Sequence, residues 1–295
     1  MRNLWVARLY FHYPIASERQ HKNIGGDGMS DLAHYQGNFI NFADKEFNFH
    51  TQNQRRFGDG ITGIDVCVSC HVGVFPSPNG ETLVELDTET PEDFLVTQEG
   101  TTVVITQKPQ SPNINVTGRV TTISGISGGV KIINGEIYIN GVKQDLKQPQ
   151  NQAPPSKVRM YVPANVELDA ELKVDSVFAS KVIFGKATVV VHGEATIGLA
   201  ARSLEVKISG EGKNYAVVKG GSLDIDVSGE GKVRVKGEFS DADVSVSGMG
   251  GVFTEGTCHG NYRASVSGTG SISHSGSVAG RVKESVSGMG SINIG

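Results

Sequence analysis

The residues best suited to chemistry are Cys67-Val68-Ser69-Cys70-His71. In a C-x-x-C-H string the two thiols can bond haem vinyl groups while the histidine becomes an axial iron ligand. The same three side chains, with the distant Cys258-His259, offer soft ligands to zinc. No second Cys-x-x-Cys completes a tetrahedral set, however. Paired carboxylates form the second group. Asp224/Asp226 and Asp241/Asp243 are each two residues apart, so on a strand each pair shares a face, as glycoside cleavage by two carboxylates would need. Glycosidase clefts usually add stacking aromatics, which the repeat around these acids lacks. Asn115-Val116-Thr117 matches a glycosylation sequon, meaningful in a eukaryotic secretory setting.

The elements that must hold these residues argue against the first reading. Ile64, Val66, Val68, Cys70, Val72 and Val74 alternate with Asp65, Cys67, Ser69 and His71, a period of two that predicts a strand. On a strand Cys67 and Cys70 point to opposite faces. Haem attachment also needs export, and MRNLWVARLYFHY is interrupted by Arg8 with no small-x-small cleavage pattern behind it. The expectation is no catalytic, metal or cofactor site, with Cys67, Cys70 and His71 kept as the haem alternative. Further strands are expected at Phe94–Thr97, Thr101–Gln107 and Val116–Ser124. Gly128–Val142 reads as a hairpin turning at Asn134-Gly135, where a type I′ turn needs positive φ at both central residues.

The C-terminal third repeats. Ser-Gly-x-Gly recurs with its first glycine at Gly210, Gly229, Gly248, Gly268 and Gly288, spacings of 19, 19, 20 and 20 residues. A unit this short cannot bury its own apolar face and must stack on its neighbours. Two residues before each glycine stand Ile208, Val227, Val246, Val266 and Val286; four after stand Val233, Val252, Ile272 and Ile292. These apolar, β-branched columns predict a β-solenoid whose residues stack about 4.8 Å apart along the axis. The glycines mark tight corners rather than phosphate loops. Val191-His192-Gly193-Glu194-Ala195 is a degraded copy of the unit. Five residues before each marker stand Glu205, Asp224, Asp243, Arg263 and Lys283, a charge ladder with one favourable junction, Asp243 with Arg263. It reads as a solvated face.

Composition bounds the rest. The 295 residues carry net charge −4 and dispersed basic residues, which speaks against nucleic acid. No apolar run approaches the ~20 residues that span a bilayer. Residues 1–60 hold ten of the twenty aromatics and four of the eight histidines without a regular period. Gly25-Gly26 before Met29 can be encoded as a ribosome-binding sequence, so translation is expected to begin at Met29, with 1–28 untranslated. The segments are then an irregular 1–60, a β-strand and hairpin region 61–142, a Gln/Pro-rich linker 143–157 and a solenoid 158–295. The last unit, Ser291–Gly295, carries no polar cap, so a partner or second copy is expected on that edge.

The glycine-serine repeats, the segment SGISGGVKIINGEIYINGV and the run VRMYVPANVELDAEL resemble the putative auto-transporter adhesin head domain (head GIN domain) family over roughly 123–295. The resemblance implies a right-handed β-helix with no established catalytic residues. The aromatic N-terminal segment and the Gln/Pro linker depart from it. Together these features lead to a mainly β, non-enzymatic structural or adhesive protein, surface-exposed or virion-associated, with a cell-surface or glycan ligand. The alternatives are a carbohydrate-active β-helix enzyme using the strand-face carboxylates and a haem or redox carrier using Cys67, Cys70 and His71.

Overall fold

The computed structural model describes residues 43–108 and 155–295. Between them it describes the backbone of five strands: Asn113–Thr117, Val120–Ser124, Val130–Ile133, Glu136–Ile139 and Val142–Gln144. Met29, the aromatic run up to Phe42, the Asn134-Gly135 pair and most of the Gln/Pro-rich segment lie outside the described residues. So do the side chains of the Asn115 sequon.

Almost everything described is β. A solenoid of about seven turns runs over residues 168–294. Each turn contributes one strand to each of two sheet faces. On the first face Leu223–Val227, Ala242–Val246, Tyr262–Val266 and Val282–Val286 pair in parallel. On the second, Lys213–Lys219, Lys232–Phe239, Gly251–Cys258, Ser271–Val278 and Ser291–Ile294 do the same. The period-two alternation decides what lies between them. One inward column runs Val66, Ala170, Val189, Val206, Ile225, Val244, Ala264. It joins a single continuous core with the inward residues of the other face. Each Val or Ile so buried contributes about 1.5–3 kcal/mol. At Val282–Val286 the column turns to Glu284, paired with Ala264. A charge in an inward column hinders further edge pairing, so this rung is less bare than Ser291–Gly295 suggests.

The Ser-Gly-x-Gly corners stack as well. Ser228 and Ser247 donate their amides to the Ile208 and Val227 carbonyls one turn back, both at 2.8 Å. Ser228 also donates its hydroxyl to Ile208 O at 3.2 Å. A Cβ on Gly229 would stand 2.4 Å from the Gly210 carbonyl oxygen, so the corner column excludes side chains. Gly193 lies under Gly210 in the same way, which places the degraded copy in the stack.

The strands of 63–76 are not a separate region. Gly63–Val68 lies between Thr102–Gln107 and Glu167–Leu172, parallel to both. His71–Pro76 lies between Lys157–Val162 and the start of Ser176–Val191. The chain therefore lays down this rung first and later returns on both sides of it. Thr102–Gln107 and Lys157–Val162 occupy one rung, beside Gly63–Val68 and His71–Pro76. The antiparallel strands Gln54–Phe57, Thr82–Asp87 and Phe94–Glu99 finish this end of the stack. Within 109–156, Val130–Ile133 pairs antiparallel with Glu136–Ile139, Ile133 opposite Glu136, as a two-residue connection demands.

Candidate functional site

Cys67, Cys70 and His71 fall on the corner between Gly63–Val68 and His71–Pro76. Cys70 is inside the core, and burial pushes its thiol well above the usual range. Cys67 points outward beside Glu171 and Lys173, its thiol raised by partial burial and then by the Glu171 charge. His71 donates from Nδ1 to Glu46 Oε1, 2.8 Å away. The three side chains diverge, and no thiolate is favoured, so the arrangement does not fit haem attachment. Cys258 is likewise buried, its Sγ 3.5 Å from Asn261 O, while His259 turns out toward Glu238. Among the described residues no three potential ligands gather around one point.

His71 instead belongs to a cluster that fastens residues 43–57 to the second face. Glu46 accepts from Lys157 Nζ at 3.1 Å as well as pairing with His71. The His71 hydrogen bond, then Lys157, hold its carboxyl below the usual range against the opposing effect of burial. Arg159 donates to Glu85 at 2.5 Å and to the carbonyls of Phe47 and Phe49 at 2.7 and 3.0 Å. Its guanidinium lies 4.5 Å over the Phe49 ring. Phe47 covers Gly73, where a Cβ would meet the ring at 2.6 Å. The aromatic character of this part of the N-terminal segment thus serves packing. A cleft beside it, lined by Gln54, Arg55, Leu86, Pro91 and Phe94, gathers no catalytic group.

The paired acids sit where the alternation puts them. Asp224 and Asp226 share the outer side of the first face, both exposed. Asp226 accepts from Ser245 Oγ at 3.0 Å, and Asp241 accepts from the Asn261 amide at 2.8 Å. Each is engaged with the next turn rather than aimed with its neighbour at a common point. The ladder is continuous by register, Glu205 to Asp224 to Asp243 to Arg263 to Lys283. Burial, then Glu205 and Asp243 on either side, raises the Asp224 carboxyl. Lys207, 2.6 Å from Glu205, lowers that carboxyl instead.

The second face carries a further outward column. Tyr215, Arg234 and Phe253 occupy one outward column on consecutive rungs, Arg234 lying 4.9 Å over the Phe253 ring. Each stands five residues after a marker glycine (Gly210, Gly229, Gly248), so alignment on the glycines brings them into one column as well, and the repeat does carry outward aromatics. Polar groups also hide inside the core of this face. Asn214 takes the inward position of Val233, Val252 and Ile272, and neither amide atom has a partner. His274 stacks below Thr254, with Nδ1 2.9 Å from its hydroxyl, and Thr254 meets Tyr262 OH at 2.8 Å.

The described residues therefore offer charged and aromatic surfaces and no converging catalytic set. Among solved structures, a putative adhesin from Bacteroides fragilis shares 13% identity over 82% of this chain and 95% of that one, with a TM-score of 0.48. A putative adhesin from Parabacteroides distasonis shares 15% identity over 82% and 96%, with a TM-score of 0.45. No curated protein matches the chain. The family model described as putative auto-transporter adhesin, head GIN domain, matches residues 93–295, thirty residues further upstream than the motifs alone suggest. That match takes in more than half the sequence and the whole seven-turn stack, and the chain belongs to this family.

Proposed function

We propose that this protein is a non-enzymatic, adhesin-like β-solenoid that works on a cell surface, outside the cell or on a virion, by presenting a rigid array of side chains to a surface ligand such as a glycan. The observation that carries the reading is the rung stack itself: outward residues are fixed in columns, and the carboxylates within them do not converge in pairs on a common point. Family membership supports an adhesive role over a catalytic one.

Intact-mass spectrometry of the native protein from cytosolic, particle and extracellular fractions tests it. Enrichment outside the cytosol with an unmodified mass is expected. A haem-sized adduct on the chain, or retention in the cytosol, would overturn the reading.

A further inference from the structure

We propose that this chain associates with a second copy of itself, the acidic sheet face of one molecule lying against the basic sheet face of the other. This goes beyond the adhesin-like reading and does not depend on it. The three rungs from Ala195–Ile208 to Gly251–Cys258 segregate charge by face. Outward on the first face stand Glu205, Asp224, Asp226, Asp241 and Asp243, with Lys207 as the cation among them. Outward on the second face stand Lys213, Lys219, Lys232, Arg234 and Lys236, with Glu238 and Glu255.

Internal pairing accounts for only part of this charge. Lys207 holds Glu205 at 2.6 Å, and Glu255 holds Lys236 at 2.9 Å. Arg263 reaches Asp243 only at 3.7 Å, with both side chains well exposed. On the first face Asp224 stacks directly between Glu205 and Asp243. On the second, Lys213 stacks directly on Lys232. Like charges one strand apart repel, and an opposing face of the other sign relieves both stacks together. The two faces come from the same coil and share one repeat of about 4.8 Å, so acidic and basic columns can meet rung for rung.

The geometry also limits the strength. Three rungs by about five residues is roughly 14 by 17 Å, or ~240 Å² per partner. Stable complexes bury about 800 Å² per partner. The contact is therefore weak and salt-dependent. Because it joins unlike faces, it leaves one of each free and is open-ended.

Sedimentation velocity of the full chain across a concentration series tests the proposal. The series is run at about 0.01 M and about 1 M salt, where the Debye length is about 30 and 3 Å. The weight-average mass is expected to rise with concentration at least twofold at low salt and to stay monomeric at high salt. Asp224→Lys with Asp243→Lys cancels the net charge of the acidic face, and Lys213→Glu with Lys232→Glu removes the positive charge of the basic face. Each variant alone should remain monomeric, and an equimolar mixture should associate again. Should a reversal fail to fold by circular dichroism, Asp224→Asn with Asp243→Asn and Lys213→Gln with Lys232→Gln should each weaken the low-salt association. A wild-type chain monomeric at low salt overturns the proposal, as does association that survives both reversals and so lies at another edge. Reversals that abolish association without rescue on mixing overturn it too. A monomer that captures an acidic polysaccharide through its basic face assigns that face to a glycan instead.

Discussion

Arg263 lies directly beneath Asp243 in the outward ladder of the first face, its Nη1 3.7 Å from Asp243 Oδ2. This is where the column of acids ends and the bases begin. One rung above, Asp224 has an acid on either side, and the cost of that stack is open to measurement.

Asp224→Asn should stabilise the fold by about 0.5 kcal/mol at neutral pH, the scale of a like-charge cross-strand pair. The Asp224 carboxyl is raised in the fold, first by burial and then by its neighbours. Its penalty is therefore present above its folded pKa and relieved as pH falls through that value toward the unfolded one. The gain seen in urea melts at pH 7 should vanish in acid. An equal gain at both pH values would show that charge is not the cause.

Gly256 adopts φ +132° in the middle of Gly251–Cys258, and a Cβ there would stand 1.8 Å from the Gly237 carbonyl oxygen. Gly237 and Gly276 repeat the conformation above and below. Gly256→Ala should cost on the order of 3 kcal/mol or more, because it strains both the backbone and the stacked column of mid-strand glycines. Chemical denaturation reads this directly; a loss under about 1 kcal/mol would mean that this column relaxes at little cost.

Asn214 points into the core with both amide atoms unpartnered. A buried polar group without a hydrogen bond costs about 1–3 kcal/mol. Asn214→Val, matching Val233 and Val252 in the same column, should stabilise the protein by a similar amount. Destabilisation would mean that the amide has partners the arrangement does not reveal.

His274 is buried beside Thr254 and Tyr262, and its Nε2 has no partner. Burial lowers its pKa and pushes the Tyr262 hydroxyl up to about 12. A histidine depressed in the fold stays neutral there while the unfolded chain takes up a proton. Stability is thus retained above about pH 6.5 and lost as pH falls from there toward the folded value. Thermal melts between pH 7 and 5 should show this loss, and His274→Leu should flatten it. An unchanged slope in the variant would place the acid sensitivity elsewhere.

The solenoid was readable because its evidence is periodic: the glycine markers, the β-branched columns and the ladder all fall on the register that the sheets adopt. Cys67 and Cys70 diverge across the corner between Gly63–Val68 and His71–Pro76, where the alternation predicts one continuous strand. Other features depend on contacts between residues far apart in the chain. Nothing local to Ile64 or Val72 says that their rung is clasped between strands whose paired residues stand 39 to 106 positions later. Phe47 looks like one aromatic among many until Gly73 supplies the space it fills. Asn214 is the one member of its column that breaks the apolar pattern, and a column aligned from Val233 onward passes over it. The Tyr215, Arg234 and Phe253 column, by contrast, stands five residues after successive marker glycines and was open to the same alignment as the apolar columns.

The claim that this chain binds rather than catalyses is tested most directly by binding of the fluorescently labelled full chain to intact bacterial and host cells. Released low-mass carbohydrate is followed in the same samples. The account predicts saturable binding, competed by unlabelled chain, with no release of sugar. Absence of saturable binding, or sugar release that Asp224→Asn abolishes, would contradict it.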